Sequence, residues 1–281
     1  MEHVVNDPHL QYNIGKTQNT PVHVPTFLQK NGSDPATKAR ILVTSCCFRL
    51  PTSPLQGFYT KLREHLLPRI QEVLRRETTS HPGYTAFEMG SSGIENAPTN
   101  SDACKFIFLK GDRIYHHQLI RFHFTTYDVR RGTDIVNPST ARSNIMLLAD
   151  NGHVANSPST DYHFLYARVL GVYHANVVYT GPGMHDYTSR RLDFLWVRWY
   201  EVVDPATSGW GSSKLESVRF PPMNGQDAFG FVDPKDVLRT CHIMPNFAKG
   251  KRHVDGVGIS RCAKDAKDYC QYYIGRQASL R

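Results

Sequence analysis

Two stretches constrain what this chain can fold into: "FLYARVLGVYHANVVYT" at 164–180 and "RLDFLWVRWYEVV" at 191–203. As a strand, the second puts Leu192, Phe194, Trp196, Arg198, Tyr200 and Val202 on one face and Asp193, Leu195, Val197, Trp199, Glu201 and Val203 on the other. Both faces are mostly apolar, so the strand must be covered on both sides. In the first stretch, Leu165, Ala167, Val169, Gly171, Tyr173, Ala175, Val177 and Tyr179 form one apolar face, opposite Phe164, Tyr166, Arg168, His174 and Asn176. Gly171, in the middle, is the place for a bend or bulge. Long, curved antiparallel strands with short turns favour a small barrel. Arg198, between two tryptophans, must then pair with a carboxylate or lie over an aromatic ring. The rings of Tyr173, Trp196 and Trp199 are also the candidates for an aromatic pocket.

The rest of the chain frames these strands. Residues 1–40 lack sustained periodicity and read as a flexible segment. A short β-like stretch, "ILVTSCCF", follows at 41–48, and 41–103 as a whole reads as an amphipathic helix and a loop. In 53–77 the residues Leu55, Phe58, Leu62, Leu66, Ile70 and Leu74 recur at helical spacing, with Ser53 as cap, Pro54 at the first position and Gln56 completing a capping box. Pro68 is expected to kink or split that helix near Leu67. From 104 the period becomes two: "CKFIFLKGDRIYHHQLIRFHFTTYDV" reads as two strands joined at Lys110-Gly111-Asp112. Strands follow at 145–149 and 215–220. A short strand then leads into a short helix capped by Asp233 with Pro234 at its first position. The expected fold is α+β and mainly β: a small antiparallel barrel over 104–250, a preceding amphipathic helix, short C-terminal helices and a basic segment at 251–281.

Chemistry is sought in charge and in His/Cys spacing. The formal charge is +8 over 281 residues. Ten Lys/Arg against four Asp from Lys235 onward concentrate +6 of it at the C-terminal end. Such a balance suits an acidic partner. Lys249, Lys251 and Arg252 in "FAKGKRH" are the candidate phosphate contacts. Six cysteines form no CxxC pair, and Cys241-His242, His253, Cys262 and Cys270 match no zinc spacing, so no metal is expected. His116 and His117 fall on opposite strand faces and read as surface or rim residues. Neither a secretory leader nor a membrane-length apolar run is visible, which points to a reducing, intracellular setting. GxSxG, P-loop, HExxH and dinucleotide fingerprints are all missing, so neither catalysis nor a cofactor is expected.

"TTYDVRRGTDIVNP" (125–138), "FLYARVLGVYHANVVY" (164–179), "RLDFLWVRWYE" (191–201) and "DAFGFVDPKDVLRTCHIMPNFAKG" (227–250) resemble the C-terminal region of proteins encoded by Plavaka-type, CACTA-like DNA transposons of mushroom-forming fungi. "HLLPRI" (65–70) is similar to the helix that precedes that region, and the likeness runs over roughly 50–274. It implies a BAH-type β-barrel, a class found in chromatin proteins, with the acidic transposase core upstream of the part present here. The family pattern continues past "YY", whereas this chain departs at "IGRQASLR". The expected function is therefore a non-catalytic, nuclear module that binds nucleic acid or chromatin. The alternatives are a fragment of a transposase or nuclease, and a folded remnant without selected activity.

Overall fold

A computed structural model describes residues 12–14, 20–23, 58–80, 103–125, 131–149, 164–182, 184–203, 215–225 and 227–275. In chain order these form β1 (Tyr12–Ile14), β2 (Thr20–His23), α1 (Phe58–Ser80), β3 (Ile107–His117), β4 (Ile120–Thr125), β5 (Arg131–Val136), β6 (Asn144–Leu148), β7 (Phe164–Tyr179), β8 (Arg190–Trp199), β9 (Glu201–Val202), β10 (Ser217–Arg219), β11 (Phe229–Val232), β12 (Val237–Thr240), β13 (His242–Pro245) and β14 (Tyr272–Gly275). All strand pairings among them are antiparallel. The β-like stretch at 41–48, the capping box at Ser53 and most of the loop expected at 78–103 lie outside the described residues.

Strand β7 organises the sheet. One of its edges pairs with β8 along almost its whole length, from Ala167↔Trp199 to Val177↔Arg190. Its other edge is shared, with β6 on Phe164–Arg168 and β3 on Val172–Tyr179. The predicted bulge is present: the β7–β8 register shifts between Val169 and Gly171, leaving Leu170 as the extra residue. A Cβ on Gly171 would sit 2.4 Å from the Tyr173 ring, so a larger residue would have to displace that buried ring.

That one residue corrects the expectation of a single apolar face on β7. A one-residue slip turns every later side chain to the opposite side. Ala167 and Val169 pack in one core with Val172, while Leu170, Tyr173, Ala175, Val177 and Tyr179 pack in another. Strand β8 has no bulge on its side, and its two faces serve those two cores as its alternation predicts. Phe194 and Trp196 lie in the core of Leu170 and Tyr173, Leu195 and Val197 in that of Ala167 and Val169.

The core of Ala167, Val169 and Val172 is enclosed by a curled path, β11-β8-β7-β6-β12, capped by the three-stranded sheet β1-β4-β5 through Ile120, Phe122 and Val136. Its two outer strands are consecutive in the chain, joined by the 3₁₀ turn Pro234–Asp236. No hydrogen-bonded ladder closes the path into a complete barrel among the described residues. The chain is thus mainly antiparallel β with one α-helix among the described residues.

Helix α1 covers the outer face. Leu62, Leu66, Leu67, Ile70 and Leu74 are buried against β3, β7, β8 and β11. Arg69 Nε pairs with Asp233 at 2.7 Å, and Arg190 Nη2 with Glu77 at 2.8 Å. Pro68 does not split the helix, which is continuous over Phe58–Ser80. Pro68 and Glu64, its partner one turn earlier, are both exposed, so the carbonyl left without a donor faces water. The buried leucines on either side hold both halves to the same sheet.

Two further expectations are corrected. Lys110-Gly111-Asp112 is not a hairpin turn but part of a bulge inside β3. Residues 110–113 oppose Asn176 alone between the pairs Leu109↔Val177 and Ile114↔Ala175. Gly111 (φ 66°) and Asp112 (φ 51°) supply the left-handed backbone this needs. Strand β4 then joins β1 and β5 instead of folding back on β3. The helix expected after Asp233 is a single 3₁₀ turn, Pro234–Asp236, capped by the Asp233 carboxylate through Lys235 N–H. Val237–Thr240 leaves it as β12 because β6 offers a free edge there.

The ring of Trp196 is 5 % exposed and meets Phe58 edge-on at 5.5 Å. Trp196→Ala should cost about 3–5 kcal/mol in urea denaturation, and Trp199→Ala, at a half-buried ring, distinctly less. Equal losses would contradict this packing.

Candidate nucleic-acid interface

Arg198, the arginine between two tryptophans, is fully buried and meets both requirements set by the sequence. Its Nη1 donates to Asp268 Oδ2 at 2.6 Å, and its guanidinium lies 3.9 Å over the Phe220 ring. Tyr200 stacks on Phe220 at 4.1 Å, and Tyr272 meets both rings edge-on. Asp268 is filled from three sides: Arg168 Nη1 donates to its Oδ1 at 2.7 Å and the Tyr272 hydroxyl at 3.2 Å. Burial pushes the Arg198 guanidinium below its ordinary range, and the Asp268 carboxylate opposes that shift. Nε and Nη2 of Arg198 have no hydrogen-bond acceptor among the described residues. This aromatic box is therefore occupied by the chain's own cation.

The box ties the C-terminal segment to β8. Strand β14 lies between β10 and β13, and Met146, Tyr166, Tyr200, Val218, Phe220, Cys241, Tyr272 and Ile274 form a third core beneath it. A second buried carboxylate, Asp265, accepts Ile259 N–H at 2.7 Å and Ser260 N–H at 3.0 Å, and lies 3.1 Å from His253 Nε2. Arg252 N–H donates to Asp268 O at 2.8 Å, and Cys270 N–H to Gly250 O at 3.1 Å. The segment thus presents a braced turn rather than a loose tail.

Of the three candidate phosphate contacts, Lys249 and Lys251 are exposed on this turn, on either side of Gly250 (φ 74°). Arg252 is half-buried and its Nη1 donates to Phe220 O at 3.1 Å, so it positions the turn. Arg261 and Lys267 are exposed nearby in sequence, while Lys264 is bound through Nζ to Pro138 O. Sequence reasoning missed Phe247: it heads the 3₁₀ turn Phe247–Lys249 and is 73 % exposed. It also missed Asp265 and Asp268, whose roles no spacing could signal.

The three rings proposed as one pocket are not brought together. Tyr173 and Trp196 lie in the core under α1, whereas Trp199 packs on the opposite face of β8. The alternation of a strand separates Trp196 from Trp199 by construction. His117 is likewise not a rim residue. It is 2 % exposed, and its Nε2 is 2.7 Å from His174 Nδ1. Cys241 is buried, which pushes its thiol up to about 12, while neighbouring His242 is exposed. The cysteines Cys104, Cys241 and Cys270 are free, and no three His, Cys, Asp or Glu side chains converge as a metal set among the described residues.

Asp268→Leu should cost about 3–5 kcal/mol by stranding Arg198, and adding Arg198→Met should recover much of it. Chemical denaturation of the single and double variants checks this. Burial lowers His174 to about 4, aided by Arg191 and His117, and lowers His65 to about 3, aided by Arg69. Both imidazoles are held neutral in the fold, so their stabilisation is complete above the unfolded value near ~6.5 and is lost as pH falls toward the folded values. Thermal melts across this range should show stability falling as the two imidazoles charge. A flat melting temperature between pH ~7 and ~4 would contradict it.

No family model matches the chain, and no curated protein or solved structure matches it either.

Proposed function

We propose that this chain is a non-catalytic, transposon-derived interaction module for nucleic acid or chromatin, built on a BAH-like barrel and acting in the nucleus. The observation that carries the reading is the braced turn 247–252, where Lys249 and Lys251 stand exposed on backbone fixed to the buried Asp268. A cationic turn that loses little freedom on docking pays a small ordering cost when it meets phosphates. The +6 excess from residue 235 onward supplies longer-range attraction to a polyanion. The aromatic box of Tyr200, Phe220 and Tyr272 does not serve a ligand in this reading, since Arg198 lies within it. The resemblance to Plavaka-type proteins supports the barrel class and the chromatin setting.

A salt titration tests it. Binding to duplex DNA should weaken steeply with salt, and Lys249→Gln with Lys251→Gln should lower the log–log slope by about 1.8, at ~0.9 per phosphate contact. The melting temperature of that double variant should not move. Arg252→Gln should instead lower the melting temperature, because Phe220 O loses its donor. A salt slope unchanged in the double variant would end this reading.

A further inference from the structure

Phe247 stands apart from the other exposed apolar side chains. It shares one 3₁₀ turn with Lys249, two residues before Lys251. Its ring touches Tyr269 edge-on, with centroids 5.4 Å apart and an 85° interplanar angle, and is otherwise 73 % exposed. The turn below it is pinned. Asn246 N–H donates to Gln271 O at 2.9 Å, and its side-chain amide to Tyr273 Oη at 2.9 Å. Lys249 N–H and Gly250 N–H close the turn at 3.1 Å each. An exposed ring on a pinned turn that also carries two cations matches the two elements of single-strand recognition: a flat surface for a base and positive charge for the neighbouring phosphates. Duplex DNA offers phosphates but no unstacked base for that ring.

We propose that Phe247 is a stacking platform, and that the turn it heads binds single-stranded nucleic acid in preference to duplex. This rests on the nucleic-acid reading above and adds its substrate class. Val254 (93 % exposed), Val257 (67 %) and Ile259 (51 %) lie on the adjoining loop held by Asp265. Aliphatic side chains have no π-face, so base stacking does not use them. A lipid surface would use them with Phe247, and that difference separates the two.

The probes are a labelled oligo(dT) of roughly 15 nucleotides, the matching duplex, and phosphatidylcholine vesicles containing phosphatidylserine. Phe247→Ala should weaken oligo(dT) binding by about 5- to 100-fold with an unchanged salt slope and melting temperature. Duplex affinity should stay the same, Phe247→Trp should restore oligo(dT) binding, and Val254→Ser with Val257→Ser should leave it intact. Equal effects of Phe247→Ala on oligo(dT) and duplex, or none on either, would overturn the stacking role while leaving nucleic-acid binding standing. Salt-insensitive or undetectable binding of both nucleic acids would overturn the parent reading and this one together. Vesicle capture abolished by the valine pair, with no oligo(dT) binding, would overturn it in favour of an anionic lipid surface.

Discussion

The contact between Arg198 and Asp268 joins the two halves of this structure. Arg198 sits on the interior strand β8, fully buried, and Asp268 belongs to the segment that leads into β14. A charge in that position is tolerable only with a partner and a polarisable surface, and the chain supplies Asp268, Ala263 O and the Phe220 ring. Once Asp268 is drawn in, Arg168 and Tyr272 converge on it as well. The C-terminal segment therefore docks in one register, and the turn 247–252 inherits that rigidity through Arg252 N–H and Asp268 O.

The bulge at Leu170 has a comparable reach. By reversing the facing of β7 halfway along, it lets one strand contribute to the core enclosed by the curled path and to the core under α1. A straight strand of sixteen residues could not curve round the core inside that path and also remain flat under a helix. The bulge in β3, opposite the other end of β7, adjusts the same sheet near β2. Between them these irregularities leave β8 covered on both sides, as its two apolar faces demand.

Exposed features follow from what the interior consumes. The most conspicuous aromatic residues, Trp196 and Tyr173, are spent on packing, and the aromatic box is filled from within by guanidinium. The turn with Phe247, Lys249 and Lys251 remains at the surface with a fixed orientation. Its cations stand out in the sequence as a charge cluster. Its aromatic does not, because one phenylalanine in a polar loop looks the same whether it is tucked in or presented.

Local patterning by itself determined much of the architecture. Period-two alternation marked β4, β7 and β8, a short apolar run marked β6, helical spacing marked α1, and the glycine at 171 marked the bulge. It also limited Arg198 to a carboxylate or a ring, since burial of a cation leaves few options. Tertiary structure alone decided which partners those were, because Asp268 lies seventy residues away and nothing near it announces a buried role. The same holds for Lys110-Gly111-Asp112, whose left-handed backbone suits a hairpin or a bulge equally until a neighbouring strand is chosen. Pro68 likewise breaks an isolated helix but survives in one packed on a sheet. Periodicity reports which side of an element is apolar, whereas the choice among partners depends on non-local contacts that form only when the whole chain has condensed.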